Sequence, residues 1–200
     1  MKKGKLIVFE GISGTGKETQ AKLLVEYLKT QSITAHIVYH PSPDLKPLIK
    51  QWRKQRQANW KTIVYLLLAD RYNRVTTFIN PALERGEWVI SLRCYISALV
   101  YQGESIADRE WIEQQFLQFE PKTNSLVYFS IDPAQALDRI NKRHQETGEA
   151  LGSFESMQKL KEKHSRYQEV LKTIPYVLVP AEKTRETVQA MIIESVKRIS

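Results

Sequence analysis

The stretch Gly11-Ile12-Ser13-Gly14-Thr15-Gly16-Lys17-Glu18-Thr19 has the residue types and spacing to do chemistry on phosphate. Its glycines let the backbone turn successive N–H groups inward, forming a cradle for phosphate oxygens. A helix that begins at Lys17 aims the positive end of its dipole at the same spot. The Lys17 ammonium then reaches the outer phosphates of a nucleoside triphosphate. The spacing Gly-x-x-x-x-Gly-Lys is that of a phosphate-binding P-loop, and residues 11–19 are the expected ATP site. One position departs. The motif places Ser or Thr after the lysine to hold magnesium, whereas this chain has Glu18 followed by Thr19. One step along a helix turns a side chain by about 100°, so Thr19 replaces that hydroxyl only in part. Glu18 reads as a magnesium ligand, as an acidic residue favoured at a helix N-terminus, or as a mark of lost activity.

A loop of this kind works only between a buried strand and a helix, and the surrounding sequence supplies both. The apolar runs Leu6–Phe9, Ala35–Tyr39, Trp88–Leu92, Ser125–Ile131 and Tyr176–Val179 read as strands buried on both faces. Helical stripes lie between and after them: Ala21, Leu24, Val25 and Leu28; Ile112, Phe116 and Phe119; Val188, Met191, Ile192, Val196 and Ile199. Asp132-Pro133 combines a capping side chain with a proline suited to the first helical position. This alternation predicts an α/β fold, a parallel five-stranded sheet with helices on both faces, as one domain over residues 1–200.

Composition narrows the function classes. With 42% hydrophobic and 26% charged residues the chain is a folded domain, not a disordered tail. A formal net charge of +8 calls for a polyanionic partner. The cations are spread through Lys46–Lys61, Lys142–Arg143 and Lys159–Lys163, which favours a basic surface around a nucleotide site over nucleic-acid binding. Cys94 is the only cysteine, so an intramolecular disulfide is excluded, and His36, His40, His144 and His164 have no metal-ligand spacing. The apolar run near the N-terminus is too short for a signal peptide or a membrane span. A cytoplasmic location with no membrane partner is the expectation.

The segment Phe9–Gln20 resembles the opening of thymidylate kinases, Glu-Gly-x-Asp-Gly-x-Gly-Lys-x-Thr. Ala69-Asp70-Arg71 is similar to that family's Ala-Asp-Arg, and Asn80–Gly86 leads into a strand as it does there. Val89–Gly103 resembles Val-Ile-x-Asp-Arg-Tyr-x-x-Ser-x-x-Ala-Tyr-Gln-Gly, with Arg93, Ser97, Tyr101, Gln102 and Gly103 in register. These motifs stand in the family's order over residues 5–103; from Glu104 onward only the pattern of strands and helices agrees. The resemblance implies a P-loop NTPase-type fold with a lid, ATP as donor, Mg2+, a nucleoside monophosphate (dTMP) as acceptor, and a homodimer. It implies that Arg93 clamps the monophosphate, a task to which a planar guanidinium is suited. It places Arg71 on the base with Ser97 and Gln102 nearby, Tyr101 against the sugar, and Pro41 in the monophosphate loop. From the residues alone, Arg71 also reads as an ion-pair residue and Tyr101 as a core residue.

Four departures from the pattern bear on the acceptor and the metal. Leu92 stands where the family has an aspartate near the metal, and Ser13 where it has one near the sugar. Leu67 replaces the aromatic residue that stacks on thymine, and Tyr39-His40 replaces Arg-Glu. Leu92 removes a carboxylate while Glu18 adds one, so Glu18 is the candidate metal ligand. A lid is expected at about residues 141–155, with Gly148 and Gly152 as flexible points. Gly14 resembles the bacterial branch that keeps its arginine in the lid. The usual Asp-Arg-x-Glu is absent, Ser153-Phe154-Glu155 takes its place, and Arg143 is the candidate lid cation beside the catalytic Lys17 and Arg93. Two other readings stand beside this one: a kinase for a different nucleotide or nucleoside, and a nucleotide-binding protein without catalysis.

Overall fold

The computed structural model describes residues 3–55, 58–148, 150–152 and 154–199. Among them the strands β1 (Leu6–Glu10), β2 (Ala35–Tyr39), β3 (Trp88–Leu92), β4 (Ser125–Ser130) and β5 (Val177–Pro180) form one parallel sheet in the order β2-β3-β1-β4-β5. Each predicted apolar run becomes a strand; β2 and β3 keep the expected ends and the other three differ by one residue at one or both ends. The central strands β1 and β3 are buried along their whole length, while β2 and β5 are partly exposed edges. This is what a sheet covered on both faces requires.

The chain leaves β1 in one direction to reach β2, then reverses through β3, β4 and β5. Right-handed crossovers therefore put α1 (Lys17–Thr30) on one face and the β2–β3, β3–β4 and β4–β5 connections on the other. The final helix α9 (Arg185–Lys197) packs beside α1. The other face carries α2 (Leu45–Lys54), α3 (Trp60–Arg74), α4 (Asn80–Glu84), α5 (Tyr95–Gln102), α6 (Ile106–Leu117), α7 (Pro133–Thr147) and α8 (Met157–Val170). The reversal between β1 and β3 is the switch point at which parallel α/β sheets open a crevice. Backbone pairing brings the two strand ends level, Phe9 opposite Leu92, with Arg93 N donating to Phe9 O at 3.0 Å.

Local signals explain the helix limits. Asp132 caps α7, its Oδ1 accepting from Ala134 N at 2.8 Å. Ser105 and Asp108 exchange side-chain and backbone bonds as a capping box at the start of α6. Ile49 of α2, Ile63, Val64 and Leu67 of α3, Ala98 and Leu99 of α5, and Ile112 and Phe116 of α6 build a second apolar cluster beside the main core. It forms the floor under one end of the crevice. The expected lid span is divided: α7 continues to Thr147 and ends at Gly148 in a left-handed conformation, φ 68°. Arg143 is thus a helix residue, and the irregular part starts at Gly148. Glu149 and Ser153 lie outside the described residues. Among the described residues no helix is long and apolar enough to cross a membrane.

Candidate active site

The loop between β1 and α1 has the form its glycines predict. Gly11 and Gly14 have φ of 141° and 81°, and a Cβ on Gly14 would meet Ala136 O at 2.5 Å. The loop is therefore pressed against α7, and only glycine fits there. Lys17 Nζ donates to Ile12 O at 2.6 Å, Gly11 O at 3.0 Å and Thr15 Oγ1 at 2.7 Å. Burial and the nearby Arg93 guanidinium hold its pKa well below the ordinary lysine value, against an opposing pull from Glu10. An anion placed in the cradle would supply what this ammonium lacks.

Arg93 follows β3 with φ 76°, a left-handed backbone uncommon for a long side chain. Its position is over-determined. Nη1 donates to Ser97 Oγ and to Tyr167 OH, each at 2.9 Å, and the guanidinium lies 5.1 Å from the centre of the Tyr101 ring. Ser97 Oγ and Tyr167 OH in turn donate to Glu10 Oε2 at 2.8 and 2.6 Å. Glu10 also accepts from the backbone N–H of Cys94 and Ser97, and its carboxylate is 3.8 Å from Arg93. Each hydroxyl spends its one proton on Glu10 and offers lone pairs to Arg93. Two hydroxyls thus couple a fully buried carboxylate to the guanidinium. Both protons of Nη1 are committed and Nη2 donates to Tyr101 OH at 3.4 Å, so Nε and the second Nη2 proton are the donors open to a ligand. Burial alone would lower the Arg93 pKa; Tyr101, Tyr167 and Glu10 outweigh it and raise the value.

These groups share one cleft of roughly 770 Å³. Its walls include Ser13, Gly14, Thr15, Gly16, Lys17, Glu18 and Thr19 from the loop and Pro41 after β2. Leu67, Leu92, Arg93, Ser97, Tyr101 and Gln102 stand opposite, and Arg139 and Arg143 come from α7. Cationic walls, with Lys22, Lys46, Lys50 and Arg53 added, outnumber the carboxylates Glu18 and Glu155. Much of the chain's positive balance is concentrated there. Gly11 and Ile12 are buried beneath the loop, and their carbonyls receive Lys17.

Arg71 is a correction to the expected base contact. Its side chain is 0% exposed, donating from Nε and Nη2 to the two oxygens of Glu120 at 2.9 and 2.5 Å and from Nη1 to Ser91 Oγ at 3.0 Å. A guanidinium bound to a buried carboxylate beside β3 is not on the cleft wall. The pair instead braces β3, since Ser91 Oγ donates to the Arg93 carbonyl at 2.6 Å. Asp70, the neighbour of Arg71, accepts from Ser42 N at 2.9 Å and lies 3.5 Å from His40 Nδ1. It ties α3 to the loop carrying Pro41.

Glu18 projects from α1 into solvent at the cleft mouth. It accepts from Tyr39 OH at 3.1 Å and meets Lys22 Nζ at 3.1 Å. Burial would raise its pKa, but the Lys22 and Tyr39 hydrogen bonds lower it further, and the carboxylate stays ionised. At the lid, Glu155 accepts from Arg143 Nη2 at 3.1 Å and from Gly152 N at 2.6 Å, so the lid segment is fastened to α7. Phe154 packs edge-on to Tyr101 at 4.9 Å, with Arg53 and Lys163 over its ring at 4.8 and 5.4 Å.

Glu10 and Tyr167 escaped the reading from sequence. Glu10 had a signal, a carboxylate closing a strand otherwise wholly apolar. Tyr167 had none; it lies within a helix rich in lysine and glutamate, and only the fold carries it to Arg93.

The thymidylate kinase family model matches residues 9–192. A thymidylate kinase of Akkermansia muciniphila is 35% identical over 143 residues, covering 71% of this chain and 69% of that protein. One from Desulfotalea psychrophila is 30% identical over 199 residues, covering 98% and 96%. A probable thymidylate kinase of Methanococcoides burtonii is 28% identical over 206 residues, covering 98% of both.

Proposed function

The chain belongs to the thymidylate kinase family, and from that premise we propose that it transfers the terminal phosphoryl group of ATP to dTMP, giving dTDP. The observation that carries the reading is the pairing of the Lys17 cradle and the Arg93 guanidinium across one cleft, at the C-terminal ends of neighbouring strands. Phosphoryl transfer asks chiefly for alignment of two phosphates and neutralisation of their charge. Donor phosphates rest on the N–H groups of residues 11–19, and Lys17 turns from the loop carbonyls to them. The acceptor phosphate takes the Nε–Nη2 edge of Arg93, with Tyr101 beside the sugar, Ser97 and Gln102 lining the pocket, and Pro41 on the opposite side. Arg143, released from Glu155, is the lid cation that approaches the transferred group.

Magnesium fits this arrangement as an ion carried mainly by phosphates and water, which needs only one or two protein oxygens. Glu18 and Thr19 are the oxygen donors of α1 on the cleft wall, and among the described residues no cluster of three metal-ligating side chains forms a dedicated cage. The metal, when bound, neutralises phosphate charge. The reading includes a cytoplasmic setting, in keeping with the unpaired Cys94, and a homodimer. Exposed Tyr65 and Tyr72 of α3 and Leu117 of α6 offer an apolar face for the dimer. The test is release of ADP from ATP in the presence of each nucleoside monophosphate in turn. dTMP should give the highest kcat/KM, and failure of dTMP to stimulate release would sink the reading.

A further inference from the structure

The Arg93 guanidinium is one of several cations set against aromatic rings at its end of the cleft. It lies 5.1 Å from the centre of the Tyr101 ring, and the Lys163 ammonium lies 5.8 Å from the same centre. Lys163 is also 5.4 Å from the centre of the Phe154 ring, over which the Arg53 guanidinium stands at 4.8 Å. Phe154 in turn meets Tyr101 edge-on at 4.9 Å. Cations and rings thus alternate, in the order Arg53, Phe154, Lys163, Tyr101, Arg93.

The members of this series come from distant parts of the chain. Helix α2 supplies Arg53, α5 Tyr101, α8 Lys163, the end of β3 Arg93, and the expected lid span Phe154. The cations have anchors besides the rings. Lys163, 4% exposed, donates to Glu162 Oε1 at 2.8 Å, and Arg53 Nη2 donates to the Gln102 amide oxygen at 2.5 Å. Like charges drawn to one place repel, the more so where water is excluded. The negative face of an aromatic ring set between them attracts both. Without the Phe154 ring, Arg53 and Lys163 lose the face they share, and Lys163 is left to the Tyr101 ring that Arg93 also uses. An aliphatic side chain of similar size fills the space and offers no such face.

We propose that Phe154 is a positioning residue for the acceptor: its ring, shared by Arg53 and Lys163, holds Tyr101 and through it keeps the Arg93 guanidinium in the orientation that takes the monophosphate. This rests on the reading that a nucleoside monophosphate binds at Arg93. The neighbouring residue faces the other half of the cleft. Glu155 accepts from Arg143 Nη2 at 3.1 Å. It is also tied to Gly152, whose N donates to Glu155 Oε2 at 2.6 Å and whose carbonyl accepts from Glu155 N at 3.1 Å. Adjacent residues of one segment therefore touch the acceptor clamp and the α7 cation.

The experiment measures equilibrium binding of dTMP without ATP, and of ATP without dTMP, to the full native chain, Phe154→Leu and Phe154→Tyr, and then turnover with both substrates. Circular dichroism and Tm check that each variant keeps the fold. Phe154→Leu, which fills the space without a ring, should weaken dTMP binding by about fivefold or more and raise KM for dTMP, while ATP binding stays put. Phe154→Tyr, which keeps the ring, should bind dTMP within about twofold of the native chain. An unaltered dTMP affinity in Phe154→Leu overturns the inference, because packing alone then suffices. Equal loss in both variants overturns it too, as does a parallel loss of ATP affinity in Phe154→Leu. A native chain that does not bind dTMP sinks this inference together with the acceptor reading. A native chain that binds dTMP but never turns it over sinks the kinase reading alone; weak binding by Phe154→Leu beside normal binding by Phe154→Tyr would still support the role of the ring.

Discussion

At the scale of single residues, the site is organised by groups that neutralise each other until substrate arrives. Lys17 is bound to the carbonyls of its own loop, and Arg93 is bound through two hydroxyls to Glu10. Lys17→Ala removes the charge that meets the developing phosphoryl charge; kcat should fall by an amount equivalent to about 3–4 kcal/mol of barrier, with the fold intact. Unchanged turnover would move the donor site elsewhere. Tyr167→Phe is the subtler case. It deletes the oxygen that accepts from Arg93 Nη1 and donates to Glu10, leaving a buried carboxylate short of one donor. Since hydrogen bonds to charged groups contribute more than neutral ones, KM for dTMP should rise by about tenfold or more while KM for ATP stays put. If both constants shift together, Tyr167 is a packing residue and the clamp is set without it.

At the scale of elements, the strand ends and the helix starts decide what each residue can reach. The five apolar runs and the glycine loop were legible because a buried parallel strand and a P-loop each impose their composition locally. Arg71 was misread for the opposite reason: nothing near it in sequence announces Glu120, which lies 49 residues away and captures it only after folding. The lid was half legible. Gly148 marked a break, but the helical pattern before it continues through Arg143 to Thr147, so the cation rides on α7 and not on a loose segment. The beginning of α1 poses the sharpest question at this scale. If Glu18 supplies the carboxylate missing at Leu92, Glu18→Gln should raise the magnesium concentration that supports turnover, because an amide is the weaker ligand for a hard cation. Binding of metal-free ATP, read by titration without turnover, should hold or improve once that negative charge is gone. Adding Leu92→Asp should restore part of the magnesium response, a non-zero coupling between the two positions. An unmoved magnesium titration would leave Glu18 as the partner of Lys22 and Tyr39 and nothing more.

At the scale of the whole molecule, one buried histidine links global stability to pH. His40 is 3% exposed, packs edge-on against Phe116, and has no hydrogen-bond partner on either ring nitrogen among the described residues. Burial lowers its pKa from 6.5; Asp70 and Glu120 oppose the shift and Arg71 reinforces it, but burial prevails. In the unfolded chain the imidazole takes up a proton near 6.5, whereas in the folded chain it stays neutral to lower pH. Between those two points the unfolded state binds more protons, so stability falls as pH falls. The slope from this one group is at most about 1.4 kcal/mol per pH unit. Asp70, whose pKa is lowered from 3.8, loses its contribution only at still lower pH, outside this window. His164, also lowered from 6.5 by burial, titrates in the same range but is common to both proteins being compared. Urea unfolding of the native chain and of His40→Asn, which keeps a neutral polar side chain at that place, should therefore give free energies that differ by a constant above pH 7. Below about 6.5 the native chain should lose stability faster than the variant, and the difference should grow with each step toward pH 5. Parallel profiles through that range would mean that His40 takes up its proton equally in both states, and that the cavity around it admits water.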